Sequence, residues 1–289
     1  MSIRELVWGG TINVTLTVDQ KLFIPGVPAE TGSLNFRIRR DSYIVECLPR
    51  LLNQLQRYMV GNLADILNHC WLECDSTVLP WFQPVGVQYD LVRYDAILQR
   101  DEFLKMASSV DAITVWRIKL NYGPTLPAGV IPLIRQPNQI ESYWMHRWKQ
   151  ACFILNGTSK QMMSLSRNDS KKFWDSVRNG DSNDFEYVSA KIVPTKPRMI
   201  PLQLHDINDP SRIHQPRAEC ENSSGKKTSL LDAVATTLPQ LLAEKGQLSS
   251  STTLICQGII IDADEQLERL YPPMKSFDGF LHVVVVTIL

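Results

Sequence analysis

The chain has 289 residues, which is long for a single hydrophobic core, so its length predicts two or three structural units. A hydrophobic content of 44% and a charged content of 21% are typical of a globular protein and exclude an intrinsically disordered chain. The formal net charge of +0 argues against nucleic acid as a partner, because backbone-binding proteins carry a basic excess.

The zero net charge conceals a basic middle segment. Residues 135–200 carry 11 Lys and Arg against 6 Asp and Glu, whereas the segments on either side carry more acidic than basic residues. Two interpretations remain open. The excess is either a solvated helical face or a surface that contacts an acidic partner, such as anionic lipid or an acidic protein.

The sequence contains no recognisable export signal. The start, "MSIRELVWGGTINVTLTVD", lacks a long apolar core after a basic segment, and no later run reaches the 18 or so apolar residues of a membrane span. The 6 cysteines are scattered and not spaced as a disulfide framework, which fits a reducing compartment. We therefore expect a cytoplasmic protein.

The first part of the chain alternates between strand and helix patterns. "TINVTLTV" and "SLNFRIR" show the strict alternation of half-buried strands and predict a hairpin. The leucines of "SYIVECLPRLLNQLQRYM" recur at helical spacing and predict one helix that crosses the hairpin. "VGVQYDLV" and "AITVWRIKLNY" are predicted to be further strands.

The last ninety or so residues repeat this order without residue-level identity. "RMIPLQLHD" and "SRIHQP" predict a hairpin, and a helix is predicted from Ser229 to Gly246, with Ser229 and Asp232 at the spacing of a capping box. The strands "TLICQGIII" and "GFLHVVVVTIL" follow. Hairpin, helix and further strands are the order of a ubiquitin-like β-grasp domain, so the predicted fold class is α+β with two such domains.

The segment between them is predicted to be helical. After the proline-rich linker "YGPTLPAGVIPLIRQP", one apolar stripe predicts a helix that ends at Asn156-Gly157, and "TSKQMMSL" and "SRNDSKKFWDSV" predict two more. The predicted boundaries are 1–122 for an N-terminal helix and the first ubiquitin-like domain, 123–192 for the linker and helices, and 193–289 for the second. The stripe consists of Ile140, Trp144, Trp148, Ala151, Cys152 and Leu155.

Two groups of residues suggest chemistry but have simpler interpretations. Cys152 lies on the apolar stripe near a helix C-terminus, where no group lowers a thiol pKa, and His146 lies on a different face. His69, Cys70 and Cys74 offer only three ligands to a structural zinc ion, which usually has four. Neither group predicts an active site or a metal centre, and no motif in the chain predicts a cofactor.

Lys149 occupies the border between the stripe and the polar face of the same helix. Its position is about 100° around the helix from Trp148, so its aliphatic stem can lie on the indole while the amine stays in water. Composition alone gives this lysine no special role, because the chain has many lysines.

Several motifs resemble those of the autophagy protein 5 family. They are "ELVWGGTINVTL", "LPWFQPVGVQYD", "HRWKQACFILNGTSKQMMSLSRNDSKKFW", "PRMIPL", "LICQGI" and "SFDGFLHVVVV", in the same order and at compatible spacing along nearly the whole chain. The resemblance is weakest over residues 206–229, a predicted variable loop without an assigned function. The resemblance implies two ubiquitin-like domains flanking a helix-rich domain.

By this resemblance, Lys149 matches the family's acceptor lysine. It implies an isopeptide bond between Lys149 and the C-terminal glycine of the ubiquitin-like autophagy modifier protein 12, delivered by E1-like and E2-like enzymes, so that this chain is a substrate and not a catalyst. The end of the sequence, "VVVVTIL", agrees with that expectation because it lacks the flexible glycine tail of a conjugatable donor.

The resemblance also implies partners for the conjugate. The N-terminal helix of the coiled-coil autophagy protein 16 would lie in a groove that we place at Val85, Gly86 and Asp90, with Asp90 accepting an arginine from the partner. The conjugate would act in an E3-like way in the transfer of a second ubiquitin-like protein to phosphatidylethanolamine at the preautophagosomal structure membrane. Candidates for peripheral lipid contact are Lys160, Lys171 and Lys172.

Two alternative functions remain open at this point. One is a cysteine-dependent transferase that uses Cys152 with a histidine as base, and the other is an adaptor that is never modified. Replacement of Cys152 and of Lys149 distinguishes the first alternative from conjugation, and the intact mass of the protein distinguishes the second.

Overall fold

The computed structural model describes residues 2–98, 114–133, 138–243 and 246–288. It divides the chain into two compact units, of which one is Thr11–Ser142 and the other combines Met1–Gly10 with Tyr143–Leu289. The final four residues of the predicted proline-rich linker, 134–137, lie outside the described residues.

The Thr11–Ser142 unit is built on a five-stranded sheet with the order β2-β1-β5-β3-β4. The central pair, β1 and β5, is parallel, and every other neighbouring pair is antiparallel. This is the predicted β-grasp arrangement. The elements are β1 (Thr11–Val18), β2 (Ser33–Arg39), α2 (Leu48–Asn53), α3 (Leu63–Asn68), β3 (Cys70–Cys74), β4 (Thr77–Leu79), α4 (Val85–Val92), α5 (Tyr94–Leu98) and β5 (Val115–Tyr122), with α1 (Ile3–Trp8) belonging to the other unit.

Alternation in the sequence produces the central strands of this sheet. The apolar residues of β1, Ile12, Val14, Leu16 and Val18, are all buried, and the residues between them are more exposed. The predicted hairpin is confirmed, because β1 pairs with β2 in an antiparallel register from Thr11↔Arg39 to Thr17↔Ser33.

Two predictions for this unit are wrong. "VGVQYDLV" is the helix α4 and not a strand, because six of its eight residues are buried and a segment buried on nearly every side shows no helical period. The single helix predicted over "SYIVECLPRLLNQLQRYM" is shorter: α2 ends at Asn53 and a separate 3₁₀ turn covers Gln56–Tyr58. Pro49 lies at the start of α2, where a missing N–H is tolerated.

The second unit begins with a helical part and continues into another five-stranded sheet. The order of this sheet, β11-β10-β12-β7-β8, has β12 and β7 as its parallel central pair. A short pair, β6 and β9, lies outside it. The elements are α6 (Gln139–Asn156), α7 (Lys160–Met163), α8 (Arg167–Asn179), α9 (Ser182–Ser189), β6 (Met199–Ile200), β7 (Leu202–Asp206), β8 (Ile213–His214), β9 (Ala218–Glu219), α10 (Leu230–Thr237), β10 (Thr252–Cys256), β11 (Ile259–Ile261), α11 (Leu267–Met274) and β12 (Leu281–Thr287).

Local sequence signals explain the boundaries of α10 only in part. Ser229 caps its N-terminus in a capping box with Asp232, as predicted. The predicted end at Gly246 is wrong, because α10 ends at Thr237 and Leu238 leaves the helical region with φ −131° and ψ 61°. Leu238 precedes Pro239, and the proline ring disfavours helical geometry in the residue before it.

The core of this second unit lies between its sheet and the helices α10 and α11. β7 and β12 contribute Leu202, Leu204, Leu281, Val283 and Val285, all buried. The N-terminal helix α1 adds Val7 to the same cluster, so the first ten residues belong structurally to this unit.

Candidate functional site

The helix that carries Lys149, α6, buries the whole stripe predicted from its sequence. Gly157, in a left-handed conformation with φ +72°, follows the last residue of the helix. Trp144 and Trp148 have no exposed surface and pack on Phe173 of α8, with ring centroids 4.8 and 4.9 Å apart. Trp144 and Trp148 therefore lie in the core of the helical part, as predicted, whereas Leu155 belongs to the core cluster of the second sheet.

Both indole groups of the stripe are held by one carbonyl group. The Nε1–H groups of Trp144 and of Trp148 each donate to the backbone oxygen of Phe277, at 2.8 Å. Phe277 lies in the Ser276–Phe280 loop, which precedes β12. The sequence motif "SFDGF" thus holds α6 through buried hydrogen bonds that would cost free energy if left unpaired.

A buried ion pair makes a second connection between α6 and this loop. Arg147 donates from Nε and Nη2 to Oδ2 of Asp278, both at 3.0 Å, and Nη2 also donates to Oε1 of Gln203 at 2.9 Å. Its guanidinium lies 3.7 Å from the centroid of the Phe280 ring. Sequence reasoning missed the role of Arg147, because its partner Asp278 lies 131 residues away along the chain.

Two histidines extend this network into the sheet. Nε2 of His282 lies 3.1 Å from Oδ1 of Asp278, and Nδ1 of His282 lies 3.0 Å from Nε2 of His205. Because the carboxylate only accepts, His282 donates from Nε2 to Asp278, and its Nδ1 shares one hydrogen bond with Nε2 of His205. The remaining nitrogen of His205, Nδ1, is buried without a hydrogen-bond partner.

The electrostatics of the network follow from burial and from the neighbouring charges. Burial opposes ionisation of Asp278, but His282 and Arg147 outweigh that effect and lower the pKa of the carboxyl group. Burial, followed by the proximity of His282, lowers the pKa of His205 well below its ordinary value, so His205 is neutral at physiological pH.

Gly279 allows the loop to approach α6 closely. Its φ is +85°, and a Cβ atom at this position would lie 2.9 Å from Cβ of Ala151 and 3.1 Å from Cε3 of Trp148. Glycine is therefore required by both the backbone conformation and the packing.

Lys149 is half-buried on α6, beside the fully buried Trp148. Cys152 is fully buried, and its Sγ lies 3.4 Å from the backbone oxygen of Thr158. His146 is exposed, and the structure shows no hydrogen bond between it and Cys152 within the described residues. The helix thus presents the lysine and conceals the thiol.

The three residues of the predicted partner groove lie on α4 and are all buried. Arg40 of this chain, itself 8% exposed, forms an ion pair with Asp90 and donates from Nη2 to the backbone oxygen of Gly86 at 3.1 Å. A Cβ at Gly86 would lie 3.0 Å from Cβ of Arg40. The arginine that pairs with Asp90 in this structure therefore belongs to this chain and not to a partner. This pair allows the carboxylate to be buried, because a buried charge requires a partner of opposite sign. The groove stays a prediction.

The three lysines predicted to contact lipid have different surroundings. Lys160 and Lys171 are exposed, and neither has an ion pair in the part of the chain that the structure describes. Lys172 pairs with Asp184 at 2.6 Å, and this hydrogen bond raises the pKa of the lysine. Among the described helices, none combines the length and apolar character needed to cross a bilayer.

The "HCWLEC" motif has a structural role. Cys70 and Cys74 are buried in β3, and burial raises the pKa of the Cys70 thiol to about 12. Sγ of Cys74 accepts from the Trp116 indole at 3.3 Å. The described residues contain no group of three or more His, Cys, Asp or Glu side chains that could hold a metal ion.

Two β-grasp sheets in one chain, together with a helical part, define a class of protein with paired ubiquitin-like domains. Three family models, each describing one region of autophagy protein ATG5, match this chain. They are the UblA domain over residues 7–122, the alpha-helical bundle region over 137–195 and the UblB domain over 199–285. The chain belongs to the autophagy protein 5 family.

Individual relatives agree with this assignment over nearly the full length. The chain is 36% identical over 286 residues to autophagy protein 5 of Vanderwaltozyma polyspora, which covers 98% of this chain and 95% of that protein. It is 35% identical to autophagy protein 5 of Saccharomyces cerevisiae, with 99% and 96% covered. The crystal structure of Kluyveromyces marxianus Atg5 superposes with a TM-score of 0.78 at 30% identity and 98% coverage of both chains.

Proposed function

We propose that this chain is a non-catalytic acceptor and scaffold in autophagy, and that Lys149 is joined to the C-terminal glycine of autophagy modifier protein 12. The observation that carries the proposal is the construction of α6. One side of the helix is held by two indole hydrogen bonds and the Arg147–Asp278 ion pair, whereas Lys149 lies outside the buried stripe. A rigid helix presents the amine to an incoming thioester at low entropic cost.

The proposed reaction needs no catalytic residue from this chain. The neutral amine of Lys149 attacks the carbonyl carbon of the thioester between the modifier and the E2-like carrier, and a proton from the amine passes to a base of the carrier or to water. The new C–N bond replaces the C–S bond, and the cysteine of the carrier leaves as a thiolate.

Reconstitution with the E1-like enzyme, the E2-like carrier, the modifier and ATP tests this proposal. We expect the Lys149→Arg variant to form no conjugate, while the matched surface variant Lys160→Arg forms it at the wild-type rate. Mass spectrometry of the branched peptide identifies the modified lysine. A conjugate of unchanged yield in Lys149→Arg would contradict the proposal.

The same reaction tests the alternative transferase. The burial of Cys152 disfavours it, because a nucleophilic thiol must be accessible to its substrate. We expect Cys152→Ala to retain conjugation. An unmodified adaptor would instead keep its unconjugated mass with all components active.

We further propose that the conjugate binds the N-terminal helix of autophagy protein 16 near α4 and acts in an E3-like way in the lipidation of a second ubiquitin-like protein. Family membership and the buried Arg40–Asp90 pair that fixes α4 support this role. Fluorescence anisotropy with a labelled partner helix tests it. We expect Asp90→Ala to weaken binding and the exposed control Asp95→Ala to leave it unchanged.

We place the protein in the cytoplasm and peripherally at the preautophagosomal structure membrane, with Lys160, Lys171 and Lys172 as lipid contacts. The unpaired state of Lys160 and Lys171 in the described structure supports the first two more than Lys172, which already faces Asp184. Sedimentation with vesicles that contain phosphatidylethanolamine and phosphatidylserine tests this. We expect Lys160→Glu and Lys171→Glu, made singly, each to reduce binding more than Lys172→Glu does, and equal losses would contradict the ranking.

A further inference from the structure

A cavity of about 460 Å³ opens at the C-terminal end of α6, a size within the range of ligand-binding pockets. Residues 154–157 at the end of the helix form one wall, and Pro194 and Met199 add apolar surface. None of the described residues that line this cavity is acidic. The remaining lining residues are three cations, Lys196, Arg198 and Arg217.

The positive charge of this cavity is only partly neutralised. Arg217 pairs with Glu219 at 2.6 Å, although its side chain is 74% exposed. Lys196 and Arg198 are exposed, and the ion pairs found among the described residues include neither of them. The apolar walls of a recess concentrate the electric field of the cations clustered in it, so such a recess attracts an acidic group.

The cavity lies close to Lys149 along the same helix. Asn156, one of its lining residues, follows Lys149 by seven positions, which places it within roughly 20° of Lys149 around the axis and about 10 Å further along it. A molecule seated in the cavity would therefore lie within reach of whatever reacts at Lys149.

The surroundings favour a peptide over a membrane. A second cavity, of about 480 Å³, shares Lys196 and Arg198 with the first and is also lined by Lys227 and three glutamates, Glu219, Glu221 and Glu268. Glu219 pairs with Arg217, and the other two pair with Lys227. An anionic bilayer is a continuous charged surface, and its headgroups would compete with these three carboxylates for the cations that already pair with them. One or two acidic side chains on a peptide can enter the first cavity and leave the carboxylates in water.

We propose that this cationic cavity binds an acidic segment of the carrier enzyme that brings the modifier to Lys149, an inference that rests on the proposed conjugation. Contacts of exposed charges form quickly and are readily broken. Such contacts suit a carrier, which has to leave after the transfer, whereas the modifier stays attached through its covalent bond.

Steady-state conjugation kinetics test the proposal with the full chain. We expect Lys196→Glu/Arg198→Glu to raise the KM for the loaded carrier about tenfold and to leave kcat within about twofold, because the cavity binds the carrier and does not touch the reacting atoms. The neutral variant Lys196→Gln/Arg198→Gln should raise KM less, in the same direction. High salt should shrink the difference from wild type.

The matched control is Arg212→Glu/Lys226→Glu, which changes the net charge equally at exposed positions that line neither cavity. We expect it to keep the wild-type KM. An equal rise in the control would overturn the proposal in favour of net charge. An unchanged KM in both the cavity variant and the control would also overturn the proposal. If the cavity variant kept its KM but lost binding to vesicles that contain phosphatidylserine, the cavity would be assigned to lipid and the proposal would again be overturned.

Two further measurements separate this inference from simpler explanations. The cations could instead stabilise the C-terminal end of the α6 dipole, in which case the charge reversal would lower the unfolding temperature and leave KM unchanged. Direct binding of the unloaded carrier to the full chain tests the cavity without any conjugation. If Lys149→Arg were still conjugated, the proposed function would fail while this binding measurement would still decide the inference.

Discussion

Gly279 shows how one residue without a side chain can determine the position of a helix. Its backbone adopts φ +85°, and Cβ of Ala151 occupies the space that a side chain would need, 2.9 Å from the position of a Cβ. We expect Gly279→Ala to lower the free energy of unfolding by about 2–5 kcal/mol, the sum of the left-handed backbone cost and overpacking. Chemical denaturation followed by tryptophan fluorescence measures this loss.

The control for this substitution is Gly225→Ala. Gly225 has φ +78°, but no atom lies within 4 Å of the position of its Cβ. We expect only the backbone cost, about 1–2 kcal/mol. Equal losses in the two variants would show that the contact with α6 is unimportant.

His205 makes stability depend on pH. Burial, then the proximity of His282, lowers its pKa in the folded state. The unfolded chain therefore binds a proton near pH 6.5 that the folded chain does not, so stability is fully present above this pH and falls as the pH decreases, by up to about 1.4 kcal/mol per pH unit. We expect His205→Gln to reduce this slope in denaturation experiments between pH 7.5 and 5.

An exposed histidine provides the comparison for this pH effect. His146→Gln changes a residue on the solvent side of α6, and we expect the pH slope of stability to stay at the wild-type value. A His205→Gln protein with an unaltered slope would exclude His205 as the titrating group.

At the scale of single elements, the sequence predicted the strands and helix starts that depend on local signals. The alternation of β1 and the capping box at Ser229 each act over a few residues and are visible without the fold. The helix α4 was missed because its burial on nearly every side removes the period that distinguishes helix from strand. The stripe of α6 was predicted, since only one side of that helix is buried.

The site was less predictable than the elements. The sequence placed Lys149 at the border of the stripe, but it gave no sign that Arg147 is buried, because its partner Asp278 is 131 residues away. The partner of Asp90 was missed for the same reason, since Arg40 lies 50 residues earlier. Ion pairs between distant residues depend on the tertiary fold and leave no local period.

The connection of α6 to the Ser276–Phe280 loop can be measured as a coupling free energy. Arg147→Met and Asp278→Asn each break the buried ion pair, although Asp278 still accepts from His282 and Arg147 still donates to Gln203. We expect each substitution to lower the free energy of unfolding by about 3 kcal/mol, the lower end of the range for a broken buried pair. The double variant should lose at least about 0.5 kcal/mol less than the sum of the two losses. Denaturation of the four proteins provides the cycle, and strict additivity would contradict the connection.

At the scale of the molecule, two sheets with the same strand order arise from sequences without evident identity. In both, the two central strands are parallel and the other neighbouring pairs are antiparallel. In β1 of the first unit, buried residues alternate with more exposed ones, whereas six of the seven residues of β12 in the second unit are buried. Sequences without evident identity, and with different patterns of burial along their strands, therefore reach the same topology.

The balance of charges predicts how the whole protein behaves in solution. With a formal net charge of +0 at pH 7, mutual repulsion between molecules is weakest near neutrality. We expect the solubility, measured by precipitation with polyethylene glycol, to be lowest near pH 7 and to rise on both sides. A monotonic change from pH 6 to pH 8.5 would contradict this.

The shared carbonyl of Phe277 allows the contact between α6 and the Ser276–Phe280 loop to be followed by hydrogen exchange. The two indole nitrogens each lie 2.8 Å from that oxygen, and the hydrogens that they donate are buried. Each hydrogen can therefore be replaced by deuterium only when the loop separates from the helix. Since one opening event exposes both, the hydrogens of Trp144 and Trp148 should exchange at matched rates. That common rate reports the opening of the contact between the Ser276–Phe280 loop and α6, the helix that carries Lys149.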